Sequence, residues 1–326
     1  MFAPSTFGVA LLMTVLSTIC WGSFANTFKL TRQYRFELYY WDYAIGILLI
    51  ALVLAFTMGS LAGGPDAFIA NLGTAAPMNI AYAAIGGFIF NIANVLLIAG
   101  IEIVGLAVAF PISIGIALVE GVVLSYILQP KGSAGYLAVG VVMAVVAVLL
   151  IGKAYGELQG GKQAVSRKGV VVCVVSGLLM GTFAPFVTKA MTAERPLTPY
   201  TVGVAFTFGA LLCCFFFNLY LMKHPLVGGP VGFDGYRNAP ASYHALGLLG
   251  GFVWGVGTVF NFVAASFVGV AISYAIGQAS PMIAALWGVF VWGEFRGSSG
   301  RARLYLVGMF TSYVLALVLI ARAYSG

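Results

Sequence analysis

Charge is what this sequence has least of. Only 8% of its 326 residues are Asp, Glu, Lys or Arg, against about 25% in a soluble domain. Histidine is nearly absent too: His224 and His244 lie in or at the edge of one polar loop, which leaves almost nothing for His-based catalysis or a metal. Cys20, Cys173, Cys213 and Cys214 each fall inside an apolar run. A disulfide framework or zinc site has no partners within reach there, so they read as small core hydrophobes. The net charge of +7 is gathered into clusters between apolar stretches, and no nucleic-acid footprint results. What the chain does have is apolar length, with 61% of residues from the hydrophobic set and a mean hydropathy of +1.03.

A bilayer core about 30 Å thick takes around 20 apolar residues per helix. Dividing the chain where charge, Pro and Gly clusters interrupt it predicts ten spans, near 6–28, 39–58, 78–101, 105–128, 135–151, 169–190, 199–222, 243–266, 270–291 and 303–323. The stretches from Asn79 to Gln129 and from His244 to Val291 are too long for one helix, so each is expected to be a hairpin turning near Gly105 or Gly269. The first span has no charged segment or small-residue cleavage site before Lys29 and is expected to be retained rather than removed as a signal peptide.

Basic residues orient such a chain. The odd-numbered connections hold Lys29, Arg32, Arg35, Lys153, Lys162, Arg167, Lys168, Lys223, Arg237, Arg296, Arg301 and Arg303, and the other side only Lys131, Lys189, Arg195 and Arg322. This asymmetry puts the odd connections in the cytoplasm and both termini on the non-cytoplasmic side of an inner or plasma membrane.

The halves repeat. Ser17 and Gly22-Ser-Phe-Ala match Ser176 and Gly181-Thr-Phe-Ala at an offset of 159. Gly86-Gly-Phe matches Gly250-Gly-Phe, and Gly105-Leu-Ala-Val matches Gly269-Val-Ala-Ile, both at 164; Lys131-Gly-Ser recurs as Arg296-Gly-Ser. Five spans per half make the halves inverted, as in secondary transporters whose substrate site lies near the midplane. The expected organisation is a first five-helix repeat over 1–151, a cytoplasmic linker over 152–168 and a second repeat over 169–326.

Several motifs carry a resemblance: Tyr40-Trp-Asp-Tyr-Ala-Ile-Gly, Leu221-Met-Lys-His-Pro-Leu-Val-Gly-Gly-Pro, Gly250-Gly-Phe-Val-Trp-Gly-Val-Gly, Gln278-Ala-Ser-Pro and Leu286-Trp-Gly-Val-Phe-Val-Trp-Gly-Glu-Phe-Arg. In these the chain resembles the ureide permease family of the drug/metabolite transporter superfamily, with the bacterial glucose/rhamnose porters as near relatives. The resemblance implies an all-α fold of ten helices as a five-plus-five inverted repeat. It also implies a proton-coupled importer of ureides and oxo-purines or pyrimidines such as allantoin and uracil. The chain departs from the plant pattern in its short central loop and in Asn261, where Gln is expected.

An ionisable group at mid-helix costs at least about 2.5 to 3.5 kcal/mol on the insertion scale. Glu37 and Asp42 are expected to pair with the nearby basic cluster, Glu102 sits at a hairpin turn, and Glu294 neighbours Arg296. Glu120 is the exception, about 22 Å into the fourth span at 1.5 Å per residue, on the face of Ser113 and away from basic residues in sequence. A carboxylate buried without a cation tends to exchange a proton near neutrality, which makes Glu120 the candidate for proton coupling. A hydrated Glu at the outer mouth is the plain alternative. Candidate substrate contacts form three sets that each share a helix face, Asn91 and Asn94; Trp254, Thr258 and Asn261; and Tyr274 and Gln278, the last ahead of Pro281; Trp21 and Asn26 on the first helix are further candidates. Pro185 has similar status. Interhelical hydrogen bonding and interfacial aromatic belts account for the same residue types.

Amides, hydroxyls and aromatic rings with one deep carboxylate suit a neutral, flat or hydroxyl-rich solute. The expectation is a secondary transporter of a ureide or nucleobase-type heterocycle, with a monosaccharide porter as runner-up and a channel or intramembrane enzyme behind. No cofactor is expected beyond a coupling proton. The expected partners are a small-molecule substrate and the lipid bilayer, with a homodimer left open.

Overall fold

A computed structural model describes residues 1–32, 34–61, 63–158 and 166–325; Lys162, counted above among the basic residues, lies outside the described residues. Among the described residues, ten helices are long and apolar enough to cross a membrane: α1 Phe7–Leu30, α2 Phe36–Phe56, α3 Pro77–Val104, α4 Leu106–Leu128, α5 Ala134–Leu158, α6 Arg167–Thr192, α7 Pro199–Lys223, α8 Ala241–Val268, α9 Val270–Val291 and α10 Gly300–Ser325. No β-strand occurs among the described residues. The chain is therefore an all-α, multi-pass integral membrane protein.

Each long apolar stretch is divided into two helices at a single glycine. Gly105 (φ 75°, ψ 162°) joins α3 to α4, and Gly269 (φ 92°, ψ 151°) joins α8 to α9. A side chain is strained in that region of backbone space, so glycine is the residue that lets one helix end and the next begin in one step. Pro281 divides α9 as anticipated: one segment ends at Gly277, the next begins at Ser280, and Gln278 and Ala279 form the break.

Two features differ from the sequence expectation. α5 continues to Leu158, so much of the 152–168 linker is helix; Lys153 lies over the Tyr305 ring at 5.8 Å and Glu157 accepts from the Ser299 hydroxyl at 3.3 Å. Short helices Phe68–Thr74 and Phe233–Arg237 occupy two connections, too brief to register against a spanning pattern.

The chain forms two compact units, Met1–Ile92 with Phe186–Phe267 and Ala93–Pro185 with Val268–Gly326. Each unit draws on both halves of the sequence. Within the first, α2 packs on α7; within the second, α4 packs on α9 and α5 on α10. Each of these helices lies against the one five places later, the pairing expected of a two-fold internal repeat.

Inside the first unit, two helix crossings match residue for residue. Where α2 meets α8, a Cβ on Gly251 would overlap the Tyr43 carbonyl, and one on Gly46 would overlap the Leu248 carbonyl. Where α7 meets α3, a Cβ on Gly87 would overlap the Phe206 carbonyl, and one on Gly209 the Ala84 carbonyl. The offsets are 163 from Tyr43 to Phe206 and from Gly46 to Gly209, and 164 from Gly87 to Gly251 and from Ala84 to Leu248. Missing side chains bring the backbones close enough for Cα–H···O contacts, worth about 0.5 to 1 kcal/mol each.

Candidate functional site

In the first unit Trp254 of α8 is the hub. It is 6% exposed. Its ring stacks on Phe90 of α3 at 4.7 Å and on Trp21 of α1 at 6.1 Å, with Tyr43 of α2 and Phe206 of α7 at 6.4 and 6.5 Å. Trp21 Nε1–H donates to Thr258 Oγ1 at 3.1 Å, and that hydroxyl donates to the Trp254 carbonyl one turn back at 3.1 Å. Trp21 of the first helix is therefore brought together with Trp254 and Thr258 of α8.

The amides are distributed differently. Asn91 is buried; its Oδ1 receives a long 3.9 Å contact from Cys214 Sγ, and its Nδ2 has no partner among the described residues. Asn26 donates to the Ser23 carbonyl at 2.8 Å within its own helix. Asn261 is buried in the first unit, while Asn94 is buried in the second, just past the division at Ile92. Sequence reasoning missed Phe90, Tyr43 and Ser17. The Tyr43 hydroxyl and Ser17 Oγ are buried and, among the described residues, without partners.

Glu120 lies in the second unit, where α4 meets α6. Its Oε1 is 3.0 Å from Thr182 Oγ1, and its Oε2 is buried with no partner among the described residues. Gly181 makes room for it, since a Cβ there would lie 2.9 Å from Oε2. Ser113 does face the same helix as Glu120, but its hydroxyl is consumed by the Cys173 carbonyl at 2.9 Å, so it forms a helix seam and not an open polar strip. Tyr274 of α9 is buried, with its hydroxyl shared between the Ala117 and Met180 carbonyls at 3.2 and 3.3 Å and its ring edge-on to Phe183. It braces α4, α6 and α9 around the carboxylate. Gln278 is buried at the α9 break.

Thr182 carries the chemistry further. Its Oγ1 is also 2.7 Å from the Leu178 carbonyl, yet a hydroxyl has one proton to give. With Glu120 protonated, the acid donates to Thr182 and Thr182 donates to Leu178, so both hydroxyl protons have an acceptor. With Glu120 ionised, Thr182 must turn its proton to the carboxylate and release the carbonyl. The signal for this partner was present in the sequence, since Gly181 and Thr182 belong to the repeated motif that includes Gly22 and Ser23.

Among the other acids, Glu37 pairs with Arg35 as expected, at 2.6 Å. Glu294 accepts from the Tyr155 hydroxyl at 3.1 Å. Asp42 departs from expectation: its partners are Tyr236 and His244, at 2.6 and 2.8 Å. His244, at the edge of the polar loop, thus reaches back to the second helix.

The ureide permease family model matches residues 160–323, half of the chain. The chain belongs to the ureide permease family. The match to that family takes in Thr182, Trp254, Thr258, Asn261, Tyr274 and Gln278; Trp21, Asn91, Asn94 and Glu120 precede it. Among individual ureide permeases, Ureide permease 1 of Arabidopsis thaliana is 22% identical over 98% of this chain and 98% of its own length. Ureide permease 2 of the same plant is 24% identical over 86% and 88%. The Probable glucose uptake protein GlcU of Priestia megaterium is 24% identical over 81% of this chain and 86% of its own. A solved crystal structure superposes with a TM-score of 0.64 at 16% identity, covering 97% of this chain and 98% of that one, and shows the fold alone.

Proposed function

We propose that this member of the ureide permease family is a secondary active transporter, a proton-coupled importer of a small neutral solute of the ureide or nucleobase type. The observation that carries the reading is the stacked Phe90–Trp254–Trp21 array in a unit that also holds the buried polar atoms Tyr43 OH, Ser17 Oγ and Asn91 Nδ2, which have no partner among the described residues. Buried polar groups are nearly always hydrogen-bonded; a flat heterocycle supplies both a face for indoles and an edge for donors. In the first unit we assign Trp21, Asn26, Asn91, Trp254, Thr258 and Asn261 to the substrate, and in the second unit Asn94, Tyr274 and Gln278.

Glu120 is the proposed coupling group, supported by the two hydrogen-bond arrangements that Thr182 allows it. The matched glycine crossings support an inverted repeat, whose halves would alternate access. We read the chain as a carrier rather than an enzyme. Both termini are assigned to the non-cytoplasmic side, so a cysteine replacing Pro65 should react with an impermeant thiol reagent in intact cells while one replacing Ser299 stays protected. The reverse pattern would invert the topology.

A monosaccharide is the second reading, supported by the GlcU relative. Thermal stabilisation of the purified protein and competition for uptake into proteoliposomes separate the two. Allantoin, uracil or xanthine should stabilise and compete where glucose and rhamnose do not. Stabilisation and competition by sugars alone would overturn the heterocycle reading.

A further inference from the structure

Asp42 is a carboxylate that the proposed transport site does not use. It is 5% exposed, six residues past the start of α2, and both its oxygens are taken. The Tyr236 hydroxyl donates to Oδ1 at 2.6 Å, and His244 Nδ1, near the start of α8, lies 2.8 Å from Oδ2. Gly247 makes room, because a Cβ there would sit 2.6 Å from Asp42 Cβ. The His244 side chain remains 26% exposed, and its ring packs edge-on against Tyr236 at 4.5 Å.

The titratable groups that face Asp42 are Tyr39 on its own helix, Tyr34 on the segment before it, Tyr236 on the short helix 233–237 and His244 on α8. Burial and the Asp42 charge push the Tyr34 phenol up to about 12; burial and the bond to Asp42 push Tyr236 well above its ordinary value. Both phenols therefore stay protonated through the physiological range. Asp234 and Arg237, on the same short helix as Tyr236, are exposed. Arg35 fastens the same connection by donating to the Val227 and Gly229 carbonyls, while also bound to Glu37. A guanidinium holds its charge at any working pH, whereas an imidazole is the side chain whose charge changes between about pH 5 and 8.

Packing does not require this cluster. At the repeat-matched crossing of α7 and α3, the positions of Asp42, His244 and Gly247 hold Ala205, Ile80 and Ala83, and the backbones approach just as closely. The fold makes the same crossing without charge.

We propose that Asp42, His244 and Tyr236 form a second proton-binding site, whose occupancy fastens the connection 224–240 to α2. With Nδ1–H committed to Asp42 Oδ2, an incoming proton binds the free Nε2 lone pair, giving an imidazolium beside a carboxylate. Loss of that proton leaves a neutral ring still donating through Nδ1, and a buried carboxylate held only by neutral donors. Such a carboxylate holds His244 less well than an ion pair does, so the start of α8, and with it the connection that leads into it, loosens from α2. As a gate on transport the site rests on the carrier reading; as a proton-controlled latch it does not.

Hydrogen exchange of the purified full chain, without substrate, tests it between pH 5.5 and 8 after correction for intrinsic exchange rates. Amides of 224–243 should open about tenfold more at pH 8 than at pH 5.5, while α10 changes little. His244→Gln and Asp42→Asn should abolish the pH response; Tyr236→Phe, which keeps the ion pair, should retain it with weaker protection. No pH response in the wild type, or an unchanged one in His244→Gln, overturns the site. If His244→Gln or Asp42→Asn does not fold, loss of the response in Tyr236→Phe overturns it. A pH-responsive connection in a protein that transports nothing would sink the carrier reading and leave the latch standing.

Discussion

The two glycine crossings of the first unit share a backbone and differ in chemistry. At α2 and α8, Gly46 and Gly251 bring the helices together and Asp42, His244 and Tyr236 follow at one end. At α7 and α3, Gly209 and Gly87 do the same, and the matching positions are Ala205 and Ile80. The seams of α1 with α8 and of α6 with α3 repeat the lesson. Ser17 sits against Gly257 in the first unit, while its counterpart Ser176 donates to the carbonyl of Ala93, the counterpart of Gly257, in the second. Around the first seam gather indoles and hydroxyls; the second unit holds the Glu120 carboxylate. Small residues build the scaffold twice, and the side chains that do chemistry are placed once.

The comparison breaks most severely if the shared scaffold is broken. Gly87→Leu and Gly251→Leu should each cost at least about 3 kcal/mol, because a backbone carbonyl cannot yield as a side chain can. Loss of folded, detergent-soluble protein in both measures it; tolerance in one alone would end the equivalence. Ala205→Asp tests the chemical difference by placing a carboxylate at the Asp42 position without its histidine. An uncompensated buried charge should cost about 3 kcal/mol, read as a fall in thermal unfolding temperature, and adding Ile80→His should recover part of it. Trp21→Phe is a milder probe: the ring face stays and the N–H to Thr258 is lost, which should weaken heterocycle binding by about 1 kcal/mol, roughly fivefold. No loss of affinity would separate that hydrogen bond from recognition.

Ten spans and the two glycines that divide the long apolar stretches were legible in the sequence because apolar run length and glycine are local signals. The end of α5 was not, since Lys153 and Glu157 stop a hydropathy run but not a helix whose charges find Tyr305 and Ser299. Trp254 and Thr258 could be grouped from helical spacing, and Trp21 was a candidate on its own helix. Tyr43 and Phe90 were missed because their role depends on which helices meet at Trp254. The Asp42–His244 pair spans 202 residues, and nothing local to either marks the other. Asp42 was assigned to its basic neighbours, yet Arg35 was already engaged by Glu37 and the 227–229 carbonyls.

The central claim is that Glu120 carries the coupled proton, and Glu120→Gln tests it most directly. The amide keeps the shape and a donor for Thr182 while removing the titratable proton. In proteoliposomes with an inward proton gradient, the variant should lose concentrative uptake of allantoin or uracil while substrate counterflow at equal pH continues. Unchanged concentrative uptake by Glu120→Gln would contradict the account.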